Sequence, residues 1–388
     1  MEKVMLLGSS GSIGRSALSL VRHYPGLFRI ESLAVNRNIK ALGQQAEEFG
    51  PGRVFIGEDI NKDKIKQSFP DTDVFSGERD LEEFIAGSTA DIAISSISGF
   101  AGLMPTYYCI KNNIPKIGLA NKESLVCAGR ILMESAAENS ITVIPVDSEH
   151  STLFKLLSGH KPSDIKKIVL TASGGPFLTM SRKELKEVTV SQALNHPRWK
   201  MGRKISIDSA TMVNKVLEVI EAHYLFGMPF EKIDIVIHPQ SIVHSFIKTK
   251  SNTYFAELGP ADMRIPIGNA LFYPRDFENS IIEFDIWDAE PLVFEKPSPE
   301  RFPILSYPSY VMDSANKQAC NIAFNASNEE AVDAFLNGLI PFVRIEDVIF
   351  STLDTAGEKD PASIEEVLEY DILFRQRAKK IIQGICKK

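Results

Sequence analysis

Lys3-Val4-Met5-Leu6-Leu7-Gly8-Ser9-Ser10-Gly11-Ser12-Ile13-Gly14 is a short apolar run that stops at a glycine-rich turn. A periodic segment over 16–24 follows and ends at Pro25-Gly26, so the stretch predicts strand, turn, helix. The spacing G-x-x-G-x-x-G lets backbone N–H groups approach a pyrophosphate at a helix N-terminus; a plain turn is the other reading. Next comes a strand-like run over 30–35 that ends in Asn36-Arg37-Asn38. An acidic residue there would bind a ribose 2′-hydroxyl. Arg37 suits a 2′-phosphate instead, and hence NADP, or else is a solvated surface charge. Strand-like runs at 53–56, 91–95, 116–119 and 141–146 alternate with helical stretches at 39–49, 81–86 and 124–138. This alternation predicts a Rossmann-like, doubly wound N-terminal domain whose ligands bind at the carboxyl ends of the strands.

The rest of the chain bounds the function. Its 388 residues are too many for one core, and 44% hydrophobic with 24% charged is the balance of a globular protein. Forty-three Lys and Arg against 50 Asp and Glu leave a net charge of −7, which argues against a surface built to neutralise nucleic acid. No apolar run approaches the roughly 20 residues that cross a bilayer. The N-terminal residues lack a signal-peptide pattern, and Cys109, Cys127, Cys320 and Cys386 form no C-x-x-C pair. The expectation is a cytoplasmic protein with no membrane or nucleic-acid partner.

Two predicted strand ends carry polar clusters: Asn121-Lys122-Glu123 and Asp147-Ser148-Glu149-His150. In an extended segment Asp147 and Glu149 share a side, and paired carboxylates suit a hard divalent ion, Mg²⁺ or Mn²⁺. Alternatively, Asp147 or Ser148 N-caps a helix beginning near Ser151. Downstream, 204–211 runs into a predicted amphipathic helix over 212–226 with Asp208 or Ser209 at its start. Asn214, Lys215 and Glu218 share one face of it. That face is either a solvated salt-bridge stripe or, with Ser209, a phosphate site beside a third metal-binding carboxylate.

Between these clusters, Ser173-Gly174-Gly175-Pro176 ends another strand, and His196-Pro197-Arg198-Trp199-Lys200-Met201-Gly202 has the composition of a substrate-closing lid. Trp199 then covers a ligand or makes a satellite core contact. His238 and His244 lie roughly 20 Å apart along a strand, too far to share a zinc, and are read as structural.

Taken together, Gly8 to Gly14, the Asn121-Lys122-Glu123 and Asp147-Ser148-Glu149-His150 clusters, Ser173-Gly174-Gly175-Pro176-Phe177, 196–202 and 208–215 resemble the 1-deoxy-D-xylulose 5-phosphate reductoisomerase family over the whole chain. The resemblance implies NADPH and Mg²⁺ or Mn²⁺ as cofactors and a small phosphosugar as substrate. The implied reaction rearranges 1-deoxy-D-xylulose 5-phosphate and reduces the resulting aldehyde to 2-C-methyl-D-erythritol 4-phosphate, a step toward isoprenoid precursors. It implies Asp147, Glu149 and Glu218 as metal ligands, and catalytic roles for these three with Lys122 and His196. Substrate contacts would come from Lys122, Ser148, Glu149, Ser173, His196, Trp199, Ser209, Asn214, Lys215 and Glu218. The implied cofactor positions are Ser10, Gly11, Ser12, Ile13, Asn36, Arg37, Asn38, Asn121, Glu123 and Gly202. Where the family commonly has Thr this chain has Ser10, and where it commonly has Gly-Lys-Asn this chain has Asn36-Arg37-Asn38. A homodimer is the family expectation.

The expected organisation is an NADPH-binding domain over 1–139 and an α+β catalytic domain over 140–273. The latter would have a mixed, dimerising sheet built from 233–237, 242–247 and 253–258. A proline-rich linker at 274–308 would follow, then a C-terminal α-helical bundle over 309–388, with helices at 310–323, 328–337, 345–355 and 363–385. Two other readings stand beside it. A semialdehyde-type NADP-dependent dehydrogenase needs an activated cysteine, yet Cys127 falls mid-helix and Cys109 lacks a neighbouring histidine. A non-enzymatic NADP sensor has no use for a third carboxylate at Glu218.

Overall fold

Val4, Met5, Leu6 and Leu7 are completely buried, because the strand they form is flanked on both edges and covered on both faces. That strand, β1 (Glu2–Leu7), lies in a computed structural model that describes residues 1–60, 66, 68–199, 201–289 and 291–387. It is followed by α1 (Ser12–His23), β2 (Phe28–Val35), α2 (Ile39–Phe49), β3 (Arg53–Ile56), β4 (Asp73–Ser76) and α3 (Leu81–Ala86). Then come β5 (Ile92–Ser95), α4 (Leu103–Lys111), β6 (Lys116–Leu119), α5 (Lys122–Glu138), β7 (Thr142–Pro145) and α6 (Ser148–Ser158). The seven strands form one parallel sheet in the order β4-β3-β2-β1-β5-β6-β7. The order reverses at β1, which makes its carboxyl end the switch point where such sheets bind ligands. The alternation read from the sequence therefore forms. The short β4 and the proline-containing α4 had no clear periodic signal.

Farther along the chain are β8 (Ile165–Ala172), α7 (Val190–Leu194), α8 (Arg203–Ala210), α9 (Val213–Phe226), β9 (Ile233–Ile237), β10 (Val243–Thr249) and β11 (Tyr254–Leu258). The helices α10 (Arg264–Phe272), α11 (Tyr307–Asp313), α12 (Lys317–Leu336), α13 (Arg344–Leu353) and α14 (Ile364–Cys386) complete the fold. β8 pairs antiparallel with β10 and parallel with β9, giving a mixed four-stranded sheet, β11-β10-β8-β9. β10 and β11 form an antiparallel hairpin, with Asn252 at φ 64° in its turn.

The chain divides into two compact units. One comprises Met1–Ser124, Leu132–Ser151 and Asp262–Ile282; the other comprises Leu125–Ile131, Thr152–Ala261 and Glu283–Lys388. The contiguous segments 1–139, 140–273, 274–308 and 309–388 do not coincide with these units. β7 hydrogen-bonds to β6 and so extends the first sheet past residue 139. α10 packs against β6, β7 and α1, which returns a later stretch to the first unit. The C-terminal helices belong with the mixed sheet in the second unit.

Three local expectations need correction. Residues 203–210 form their own helix, so Asp208 and Ser209 do not start α9; Met212, at φ 65°, separates the two helices. The helices expected at 310–323 and 328–337 are broken elsewhere, since α12 runs unbroken through Asn325 and Asn328. Ser327 donates to the Ala323 carbonyl of the same helix, and Asn328 donates to Asp208 at 2.8 Å. Asp147 and Glu149 do not share an extended segment, because β7 ends at Pro145 and α6 begins at Ser148.

Candidate active site

In the first unit the glycines shape the end of β1. Gly8 lies at φ +91°, and a Cβ there would come within 2.9 Å of the Ser96 backbone. A Cβ on Gly14 would overlap the backbone of Gly8 and Ser9, so α1 can begin against the turn only with glycine at that position. Gly11 caps α1 through its backbone alone, and the first turn carries no acidic residue. The N–H groups at Ser12 and Ile13 therefore meet no side-chain cap, which suits an anionic pyrophosphate.

At the neighbouring end of β2, Asn36, Arg37 and Asn38 are exposed. Asn38 accepts from the Ala41 N–H at 3.0 Å and caps α2. Arg37 pairs with Glu58 at 2.7 Å, a contact between exposed groups of small energetic weight. Its guanidinium thus stays within reach of a stronger anion.

The end of β6 is more tightly built. Asn121, 1% exposed, accepts from the Ser124 N–H at 2.9 Å and so caps α5. Its amide donates to the carbonyls of Ile97 and Gly99 and to Glu123, at 2.7, 2.9 and 2.9 Å. The Asn121 side chain is thus committed to fixing the loop after β5. What it offers a cofactor is the position of that loop.

Next to it, Lys122 Nζ lies 2.6 Å from Asp147 Oδ2. The other carboxylate oxygen, Oδ1, accepts from the Glu149 and His150 N–H groups at 3.1 and 3.2 Å, and Nδ1 of His150 lies 2.9 Å from it. Asp147 therefore caps α6 with one oxygen and meets a cation with the other, so capping and charge binding coexist. Ser148 donates to Glu149 at 2.5 Å. His150, completely buried, had no role in the sequence reading. Its signal was the spacing, three residues after a helix-capping Asp.

In the second unit Gly174 and Gly175 lie at φ +83° and +68°. A Cβ on Gly175 would come within 2.8 Å of the Ser209 carbonyl, so the loop carrying Ser173 runs against the end of α8 that carries Ser209. Ser173 Oγ lies 3.0 Å from His196 Nε2, and His196 Nδ1 accepts from the N–H groups of Arg198 and Trp199 at 3.2 and 3.0 Å. This pattern makes His196 neutral, with Nε2–H as the donor. Burial also lowers its pKa, to about 4. Trp199 is half-buried, and Lys200 lies outside the described residues.

α9 is packed on nearly every side, so its polar face is no solvated stripe. Lys215 and Glu218 are 3% and 0% exposed and pair closely with one another. Asn214 donates to Glu218 at 2.5 Å, while its own Oδ1 is buried without a hydrogen-bond partner. Burying such a pair costs several kcal/mol per ion before any attraction is counted, and the orphaned oxygen costs about 1–3 kcal/mol. A helix that needed only to pack would carry neither. The unpartnered acceptor suits a ligand hydroxyl, and the ammonium suits a phosphate.

His238 accepts from the Ile242 N–H at 3.2 Å and lies 2.9 Å from the Val293 carbonyl, which accounts for both ring nitrogens. Cys109, Cys127 and Cys320 are buried, and burial pushes the Cys109 thiol up to about 12. These three are poor nucleophiles, which weakens the semialdehyde-dehydrogenase reading.

Comparison with known proteins agrees across the chain. A family model described as 1-deoxy-D-xylulose 5-phosphate reductoisomerase matches residues 4–129, and one described as its C-terminal domain matches 143–226. A third, described as a DXP reductoisomerase C-terminal domain, matches 258–377. A protein of that name from Chlorobium phaeobacteroides is 42% identical over 385 residues, covering 99% of this chain and 100% of its own. One from Thermodesulfovibrio yellowstonii is 40% identical, covering 98% and 100%. The Zymomonas mobilis enzyme in complex with NADPH superposes with a TM-score of 0.90 at 36% identity, covering 98% of this chain and 99% of that one. A DOX-P reductoisomerase in complex with NADPH, fosmidomycin and magnesium gives 0.92 at 35% identity, covering 100% and 98%.

Proposed function

The chain belongs to the 1-deoxy-D-xylulose 5-phosphate reductoisomerase family, and we propose which of its residues carry out that family's reaction. It isomerises 1-deoxy-D-xylulose 5-phosphate and reduces the rearranged aldehyde with NADPH to 2-C-methyl-D-erythritol 4-phosphate, in a reaction that depends on a divalent metal ion. The first unit holds NADPH, with the pyrophosphate at Ser10–Ile13 and the 2′-phosphate at Asn36, Arg37 and Asn38. Asn121 and Glu123 set the loops beside it, and Gly202 is proposed as a further cofactor contact. The uncapped first turn of α1 supports this assignment.

The observation that carries the metal reading is the donor set. Among the described residues Asp147, Glu149 and Glu218 form the acidic group able to hold a metal ion. Three carboxylates are the ligands a hard cation such as Mg²⁺ or Mn²⁺ takes. When bound, NADPH supplies the hydride and the divalent ion supplies a Lewis acid toward the substrate's carbonyl and hydroxyl oxygens.

The chain's own residues orient the rest. Ser173, Ser209, Asn214 and Lys215 bind the phosphate end through hydroxyl, amide and ammonium donors. Lys122 holds the Asp147 carboxylate in place, and His150 steadies it from the other side. Ser148 steadies Glu149. Neutral His196 donates from Nε2 and, through Nδ1, ties down the loop carrying Trp199, which excludes water from the substrate.

The protein is proposed to be a cytoplasmic homodimer. Exposed Phe284, Ile286, Trp287 and Phe294 support an interface, as do exposed Tyr254 and Phe255 on the edge strand β11. Among the described residues no helix is long and apolar enough to cross a membrane.

The deciding assay is NADPH oxidation with 1-deoxy-D-xylulose 5-phosphate, with and without Mg²⁺. Turnover should vanish on chelation and survive thiol alkylation. The opposite pattern would return the semialdehyde-dehydrogenase reading. Sedimentation of the purified chain tests the dimer, and a monomer at micromolar concentration would count against it.

A further inference from the structure

We propose that Gln318 is a positioning residue that keeps α5 broken at Ala128, and thereby aims the first turn of that helix, with Lys122, at Asp147. The inference rests on the reading of Lys122 and Asp147 as part of the active site.

α5 is long, but Ala128 in its interior has φ −138° and ψ 25°, outside the helical region. Hydrogen bonds that should span this point cannot form normally, so the carbonyls before it need other donors. Gln318, in the first turn of α12 and 3% exposed, supplies them. Its amide nitrogen donates to the Val126 carbonyl at 2.8 Å and to the Cys127 carbonyl at 2.7 Å. Its Oε1 accepts from the Tyr224 hydroxyl of α9 at 2.8 Å. The amide is thus used from both ends, and its orientation is set.

Two neighbouring features hold the arrangement. Gly129, the residue after the break, lies against the Tyr224 ring so closely that a Cβ there would overlap it. The Gln318 and Ala319 N–H groups both donate to Asp360 Oδ1, at 2.7 and 3.0 Å, which anchors the root of the Gln318 side chain. Burial pushes the Tyr224 phenol well above its ordinary range, so it keeps the proton it donates.

A straight helix would need no buried amide beside it, and an apolar side chain would fill the same space without desolvation cost. The break sets the direction of the turn that precedes it. Lys122 lies six residues upstream, about 9 Å along the axis. A tilt of about 10° would move it by more than 1 Å, a displacement that costs roughly a hundredfold when it separates catalytic groups.

The test compares three variants in the full-length protein: Gln318→Leu, Tyr224→Phe and Asp360→Ala. Gln318→Leu should lower kcat by about tenfold or more and raise the Mg²⁺ concentration for half-activation several-fold. Tyr224→Phe, which leaves the amide but releases its orientation, should move both in the same direction by less. Asp360→Ala, which loosens the root of the Gln318 side chain but keeps its amide, should lower Tm and move both parameters in the same direction by less than Gln318→Leu. The proposal is overturned if Gln318→Leu keeps both parameters within twofold of wild type, whatever its Tm. If Gln318→Leu does not fold, Tyr224→Phe decides by the same readouts. Wild-type turnover in Lys122→Met would instead defeat the site reading, whereas a dead Lys122→Met beside an unimpaired Gln318→Leu would defeat this inference alone.

Discussion

Lys122 Nζ stands 2.6 Å from Asp147 Oδ2, joining the residues that follow two adjacent parallel strands, β6 and β7. The side chains are 8% and 11% exposed, so the pair is screened little by water. Lys122→Met should therefore destabilise the metal-free protein by about 3 kcal/mol or more. Saturating Mg²⁺ should return much of that loss, because a divalent ion meets the same carboxylate. Thermal melts with and without Mg²⁺ read the difference, and an equal deficit in both conditions would separate Asp147 from the metal.

Glu149→Gln keeps the shape of the side chain and removes one anionic ligand. Turnover should fall by at least a hundredfold while NADPH affinity, measured by fluorescence titration, stays within about twofold. Unchanged turnover would remove Glu149 from the ligand set.

Arg37 pairs with exposed Glu58. Arg37→Ala should weaken NADPH by about tenfold and leave NADH nearly unchanged, while Glu58→Gln should strengthen NADPH slightly by freeing the guanidinium. Equal losses for the two cofactors would contradict a 2′-phosphate contact.

Gly175→Ala places a Cβ within 2.8 Å of the Ser209 carbonyl, at φ +68°. Backbone strain alone should cost about 1–3 kcal/mol. The displaced loop should raise KM for the phosphosugar more than it lowers kcat. A variant that loses stability with unaltered KM would show that the Ser173 and Ser209 segments do not act together on substrate.

His196 is held neutral, and burial lowers its pKa to about 4 from 6.5. A base whose folded pKa is depressed contributes stability above its unfolded value and loses it as pH falls from 6.5 toward 4. Protonating Nδ1 would also break its bonds from the Arg198 and Trp199 N–H groups. Trp199 emission, read in a Trp287→Phe background, should therefore change near pH 4 to 5 and stay flat near 6.5. A transition centred at 6.5 would show that the loop does not enclose the ring.

Much of this was legible in the chain. The glycine spacing at Gly8, Gly11 and Gly14 announced the turn, and four-residue strands such as β3 and β6 stood out by their apolar runs. The boundaries of α2 and α3 fell where the pattern placed them. Asp147, Glu149 and Glu218 suggested a hard cation by their type, beside the readings of a helix cap for Asp147 and a solvated stripe for Glu218. α8 was not legible: its Ile205 and Ile207 alternate as in a strand, and packing against the rest of the second unit overrode that local signal. The unbroken course of α12 was hidden for a related reason. Asn328 stands where a second helix was expected to begin, and only its distant partner Asp208 explains a polar side chain buried in mid-helix.

The sequence by itself determined the elements and the chemical types at the site, because backbone preference and periodicity depend on near neighbours along the chain. Only the tertiary structure decided which charges lost their water. Lys215 and Glu218 became a buried pair, Asp147 divided its two oxygens between a helix start and an ammonium, and Gln318 reached a break almost two hundred residues upstream. Desolvation and hydrogen-bond pairing depend on which distant segments meet and exclude solvent, and residue order does not specify that until the chain has folded.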